Sequence, residues 1–171
     1  MAGANQQDLP AIFISNFVPE DGRTFSEKQE KAIMKGGEIH LKQMKAVFCD
    51  LGFQPLNLSG GSRHTNLFAK DLYHADTVPK TSCDCLKCLI SKTVVSETKC
   101  FLFCISTHGG QINGEHFVAF LDESEGCYKV DINKKIIEML NCKKLSGKQR
   151  ILIIDSCRDD AEVPGIYFVS I

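Results

Sequence analysis

The sequence predicts an α/β fold: a mainly parallel central sheet with helices on both faces. Three observations predict it. Short apolar, β-branched runs recur along the chain and read as strands. Amphipathic stretches of helical period lie between them, and such alternation favours parallel pairing through crossovers. Two of the runs, in "KCFLFCISTHGG" and "RILIID", are apolar throughout, as strands covered on both faces must be.

The elements follow in order. "AIFISNF", residues 11 to 17, reads as a buried strand. "VPEDGRTFSEKQEKAIMKGG" is polar and glycine-bearing and reads mostly as loop. From Glu38 the pattern is helical, with Met44, Val47, Phe48 and Leu51 on one face. Gly52 stops that helix. "FQPLNL" reads as a second strand. Helical stretches are expected around Asn66 to His74 and around Ser82 to Thr93. The apolar run Phe101 to Ile105 is the clearest strand, and it ends in Ser106, Thr107 and His108. "INGEHFVAFLD" alternates enough for a short hairpin. "VDINKKIIEMLNC" reads as an amphipathic helix with Ile132, Ile136, Met139 and Leu140 inward. "RILIID" and "GIYFVSI" are two further strands. No internal repeat or low-complexity tract interrupts the series.

Composition bounds the function. The 171 residues suit one domain, 10–171, behind a flexible segment 1–9. Apolar residues make up 43% and charged residues 24%, as in ordinary globular chains. With 20 basic and 21 acidic residues, the chain lacks the basic excess of a nucleic-acid binder. No apolar run reaches the ~18 residues of a membrane span. The polar start "MAGANQQDLP" has no signal-peptide core, so a cytoplasmic location is expected. In that compartment the nine cysteines read as reduced thiols. Cys83, Cys85 and Cys88 in "CDCLKC" raise the question of zinc. No second pair or histidine motif completes a four-ligand set, so they read as small thiols on a helix, with no metal assigned.

Two strands end in reactive side chains, one at His108 and one at Cys157. Ligands bind beyond the carboxyl ends of strands in such sheets. The strands ending at Thr107 and Ser156 are therefore expected to be adjacent or one apart. Imidazole and sulfur would then share one edge, roughly 4–7 Å apart. A thiolate with an imidazole in reach is the pair that nucleophilic acyl transfer needs. Gly109 and Gly110 follow His108 and let the backbone turn its N–H groups toward a substrate. His40, His64 and His74 belong to no motif, and His116 sits in the hairpin as a surface residue.

On these motifs the chain resembles the caspase-like cysteine peptidases. "CKKLSGKQRILIIDSCRD" is similar to the stretch leading through a strand into the caspase nucleophile. "CFLFCISTHGG" is similar to the strand ending in His–Gly. "IMKGGEIHLKQMKAVFCDLGF" is similar to the first helix, and "VPGIYFVSI" to the start of the small-subunit region. His108 and Cys157 stand 49 positions apart, against about 50 in caspases. The resemblance implies a three-layer caspase-like sandwich. It implies Cys157 as nucleophile and His108 as acid–base. The N–H groups of Gly109 and Cys157 would form the oxyanion hole, and no cofactor is required.

The departures matter as much. Caspases carry Gln-Ala-Cys-Arg-Gly, whereas this chain has Asp155-Ser156-Cys157-Arg158-Asp159. Met34 stands where caspases place the arginine that meets a substrate aspartate. An acid at position 155 resembles paracaspases and metacaspases, which cut after Arg or Lys. Asp155, with Glu38 as a second acid, is thus a candidate for binding a basic substrate residue. As structure alone, Asp155 could instead cap nearby N–H groups and Glu38 could favour a helix start. The expected partners are protein or peptide substrates and a second caspase-like chain, identical or not. An alternative function is a catalytically silent homologue that regulates an active one. A small-molecule-binding α/β domain is less favoured, because no glycine-rich phosphate loop is present.

Overall fold

The computed structural model describes residues 9–16, 27–56, 72, 83, 85–121, 127–157 and 164–170; the side chains of residues 27–34, 121, 157 and 164–170 are not part of that description. The elements are β1 (Pro10–Asn16), α1 (Glu27–Asp50), β2 (Gln54–Pro55), α2 (Leu86–Thr93), β3 (Cys100–Thr107), β4 (Gly109–Ile112), β5 (Glu115–Leu121) and β6 (Cys127–Asp131). A π-helical turn, Ile132–Ile137, then runs into α3 (Glu138–Leu140). β7 (Gln149–Cys157) and β8 (Pro164–Ser170) follow.

The main sheet has the order β2-β1-β3-β7-β8. The pairs β1/β2, β1/β3 and β3/β7 are parallel, and β8 joins β7 antiparallel. A second, antiparallel sheet has the order β4-β5-β6. The predicted α/β class, with a mostly parallel central sheet and helices, is the class observed.

Strand periodicity explains the layers. Along β3, Phe101, Phe103 and Ile105 enter one core with Ile12, Ile14, Leu152 and Ile154. Leu86, Ile90, Ile136 and Leu140 cover that face from the α2 and α3 side. The alternate residues Cys100, Leu102 and Cys104 join Phe13, Ile153 and Leu41 in a second core, against α1. A strand buried on both sides takes apolar residues on both parities except where a buried polar side chain finds a hydrogen-bond partner, as Ser106 and Thr107 do at its carboxyl end. That is why "CFLFCI" is apolar without a break. Each fully buried Phe or Ile contributes about 1.5–3 kcal/mol relative to exposure.

Several boundaries differ from the sequence reading. α1 begins at Glu27, so residues 27–37, read as loop, are helical; their polar composition is that of a helix with one solvated face. The inward face is rotated from the expected one. Leu41 is buried and Met44 and Phe48 pack on the sheet, whereas Val47 and Leu51 are 58% and 64% exposed. The apolar stripe on this helix is wider than the surface it covers, and periodicity alone cannot say which edge docks. α2 starts at Leu86 rather than Ser82. Residues 127–131, read partly as the start of a helix, form β6, and the helix begins only after Asp131. The Asp131 carboxylate accepts the Lys134 N–H at 2.8 Å and so caps it. The second strand shrinks to Gln54–Pro55. The helix expected over 66–74 lies outside the described residues, except Leu72, which is buried.

Two turns follow their glycines, the first of them as expected. Gly52, at φ 92°, ends α1: its N–H donates to Cys49 O and that of Phe53 to Phe48 O, both at 2.9 Å, the paired bonds of a Schellman stop. Asn113 and Gly114, at φ 51° and 83°, link β4 to β5 in a two-residue hairpin of the twist that favours Asn-Gly. Among the described residues no helix is long and apolar enough to cross a membrane.

Candidate active site

β3 and β7 are direct neighbours, the nearer of the two expected placements, adjacent or one apart. Their parallel register pairs Cys104 with Ile153, Ile105 with Ile154 and Ser106 with Asp155. β3 ends at Thr107 and β7 at Cys157, so residue 108 follows the end of one strand and residue 157 ends its parallel neighbour. Ser106 and Asp155 lie on the α1 side of the sheet, where His40 of α1 meets Asp155. The separation of the His108 ring from the Cys157 sulfur lies outside the described side chains.

The backbone around His108 is held from several directions. Ala119 N–H donates to His108 O at 2.8 Å. Asn16 Nδ2 donates to Ala119 O at 2.7 Å, and the Thr107 hydroxyl lies 2.6 Å from Asn16 O and 2.9 Å from Ala119 O. These buried bonds tie the carboxyl ends of β1 and β3 to β5 in the second sheet. After His108 the chain leaves the main sheet as β4, and Gly109 lies directly on the end of β7. A Cβ there would stand 2.7 Å from Phe117 O, 2.8 Å from Ser156 Oγ and 2.9 Å from Ser156 Cβ. At Gly110 the nearest atom would be the Phe117 ring, at 3.0 Å. Gly109→Ala is therefore expected to cost about 1–3 kcal/mol, because a backbone carbonyl has to move. Gly110→Ala should cost less. Thermal melting of the two variants compares them, and equal stabilities would contradict the close approach.

Asp155 is part of a small polar cluster. Ser106 Oγ donates to its Oδ2 at 2.8 Å, and His40 Nδ1 lies 2.8 Å from the same oxygen. The carboxylate side chain is 13% exposed and His40 is 45% exposed. His40 comes from α1 and covers Asp155 from above the sheet. Nothing in the sequence marked it: a lone histidine in an amphipathic helix carries no spacing signal. Glu38, the second predicted acid, is exposed on α1. Two residues along a helix turn about 200°, so Glu38 does not share the His40 face that meets Asp155. Met34 lies in the same helix, six positions before His40.

Burial sorts the other thiols. It pushes Cys104 from 9.0 up to about 12, helped by the Asp155 charge. It raises Cys100 as well. Cys85 is also pushed up to about 12, chiefly by burial. Cys83 is lowered instead, first by the Cys85 N–H that points at its sulfur. Thiolates alkylate and thiols do not. At pH 8, iodoacetamide with peptide mapping should therefore modify Cys83 and exposed Cys49 while sparing Cys85 and Cys104. Rapid labelling of Cys104 in the folded chain would contradict this burial.

Comparison with known proteins places this arrangement. The family profile described as the caspase domain matches residues 25–168. No curated protein sequence matches the chain significantly. Among solved structures, the chain is similar to the Drosophila initiator caspase Dronc, with TM-score 0.55 and 19% identity over 88% of this chain and 49% of that one. It is likewise similar to caspase-1 from Spodoptera frugiperda, with TM-score 0.53 and 18% identity over 90% of this chain and 49% of that one. The chain thus spans about half the length of the solved relatives it matches.

Proposed function

The chain belongs to the caspase-domain peptidase family, and from that premise we propose that it is a cysteine endopeptidase that cuts after basic residues. The observation that supports the reading is that β3 and β7 are adjacent and parallel, so residue 108 follows the end of β3 and residue 157 ends the neighbouring strand. In this reading the Cys157 thiolate attacks the scissile carbonyl carbon. Negative charge develops on the carbonyl oxygen and is met by the N–H groups of Gly109 and Cys157. His108, carrying the proton, gives it to the amine nitrogen as the C–N bond breaks. Water then attacks the thioester, His108 takes a proton from that water, and the thiolate leaves. Asp155 would receive the guanidinium or ammonium of the residue before the cut.

The test is a fluorogenic peptide panel with Arg, Lys, Asp or Leu before the reporter. Hydrolysis after Arg and Lys supports the reading. No turnover by folded chain with intact thiols overturns the enzymatic part.

A second reading, a catalytically silent regulator of an active relative, has its own support. Asp155 is already engaged by His40 and Ser106. Either reading implies a partner. β8 lies at the end of the main sheet, and its sequence "GIYFVSI" is apolar. An apolar terminal strand invites pairing with another chain. Sedimentation velocity over a concentration series should show reversible dimers, or a complex once a partner chain is added. A strict monomer throughout would contradict a self-pairing edge.

A further inference from the structure

On spacing alone Cys83, Cys85 and Cys88 lack the second pair or histidine motif of a four-ligand zinc site. The fold changes the question, because the three sulfur atoms all lie within 4.8 Å of one another. Cys85 and Cys88 are 7% and 0% exposed, while Cys83 stands partly open to solvent. Buried cysteines are common as small apolar residues. A third, partly exposed thiol closing on two buried ones is not explained by packing.

Local geometry builds the cluster. Cys85 is the cap of α2, with extended backbone at φ −64° and ψ 158°. Cys88 follows at i+3 and so shares its face. The chain before the cap brings Cys83 back over them, and the Cys85 N–H points at the Cys83 sulfur at 3.5 Å. Lys92, in the last turn of α2, donates to Cys83 O at 2.7 Å and fastens the loop. The sulfurs therefore sit at the amino end of a helix, with an amide N–H and a cation at hand. Both favour negative charge there.

We propose that Cys83, Cys85 and Cys88 form a three-thiolate site for a thiophilic d10 cation, Zn2+ in the first instance, with a fourth coordination position on the open Cys83 side. Tetrahedral zinc at ~2.3 Å from each sulfur needs sulfur–sulfur distances of about 3.8 Å. The present limit of 4.8 Å is within reach of that by side-chain rotation. Among the described residues no carboxylate or imidazole joins the cluster, and its three donors are all sulfur. Sulfur donors select soft and borderline cations over Ca2+ and Mg2+, which take oxygen. Binding would cross-link residue 83 to the first turn of α2, whose Leu86 and Ile90 pack in the main core. The ion would thus brace the α2 layer, independently of whether the chain is a peptidase.

The experiment uses the whole chain, reduced and metal-free, titrated with Co2+ and then Zn2+. One Co2+ per chain should give a near-ultraviolet sulfur-to-cobalt band of three-thiolate intensity, and Zn2+ should bleach it. Zn2+ should also raise the melting temperature of the wild type. Cys83→Ser removes the most exposed ligand with the least risk to folding. It should weaken Zn2+ binding at least ~100-fold, beyond the range seen for loss of a supporting contact, and abolish the thermal shift. Cys157→Ala should leave both signals intact. A band that survives Cys83→Ser, a band lost in Cys157→Ala, or no stoichiometric band with all thiols free would each overturn the site.

Discussion

Cys157→Ala is expected to abolish covalent labelling by a peptidyl electrophile carrying Arg at its reactive end, and to remove peptide hydrolysis. A nucleophile has no substitute within the mechanism, so residual turnover should fall to background. His108→Ala should retain a thiol but lose its acid–base partner, with a rate roughly 10²–10⁴-fold lower. Cys104→Ser is the informative control. Cys104 is buried on β3, and its thiol is pushed up to about 12, so it should not contribute to labelling at neutral pH. Intact labelling of Cys157→Ala would move the nucleophile to another cysteine and remove the basis of the proposed peptidase.

Asp155→Asn should keep the shape of the polar cluster and lose its charge. Without the carboxylate, the preference for Arg over Leu before the cut should fall by about 100-fold. That corresponds to an ion pair worth about 2.7 kcal/mol in a partly desolvated pocket. Discrimination against Asp should weaken as well, because the repelling charge is gone. His40 sharpens the test. It occupies the same carboxylate oxygen that a guanidinium would use, at 2.8 Å. His40→Ala should therefore lower KM for Arg substrates without raising kcat, since it frees a binding group and leaves Cys157 and His108 untouched. Persistent Arg preference in Asp155→Asn would show that Asp155 is only a strand-end carboxylate held by Ser106 and His40. Faster cleavage after Asp than after Arg in the wild type would show that a cation meets the substrate instead.

The sequence by itself determined the class of fold and the two strands that matter most. "CFLFCIST" and "RILIIDS" are apolar on both parities, and only strands buried on both faces are written that way. Gly52 was legible for a similar reason, because its backbone angle excludes most other residues. Helix limits were less legible. A polar first half hid the start of α1, and an apolar stripe wider than its contact concealed which residues face the sheet. His40 beside Asp155, Gly109 against Ser156 and the convergence of Cys83, Cys85 and Cys88 were decided only by tertiary structure. Each joins a residue to another through space, by packing of α1 on the sheet, by the departure of β4, or by the path of the chain into α2. Local pattern carries the periodicity of one element; it does not carry the rotation and offset with which two elements meet, and those set the chemistry of this edge.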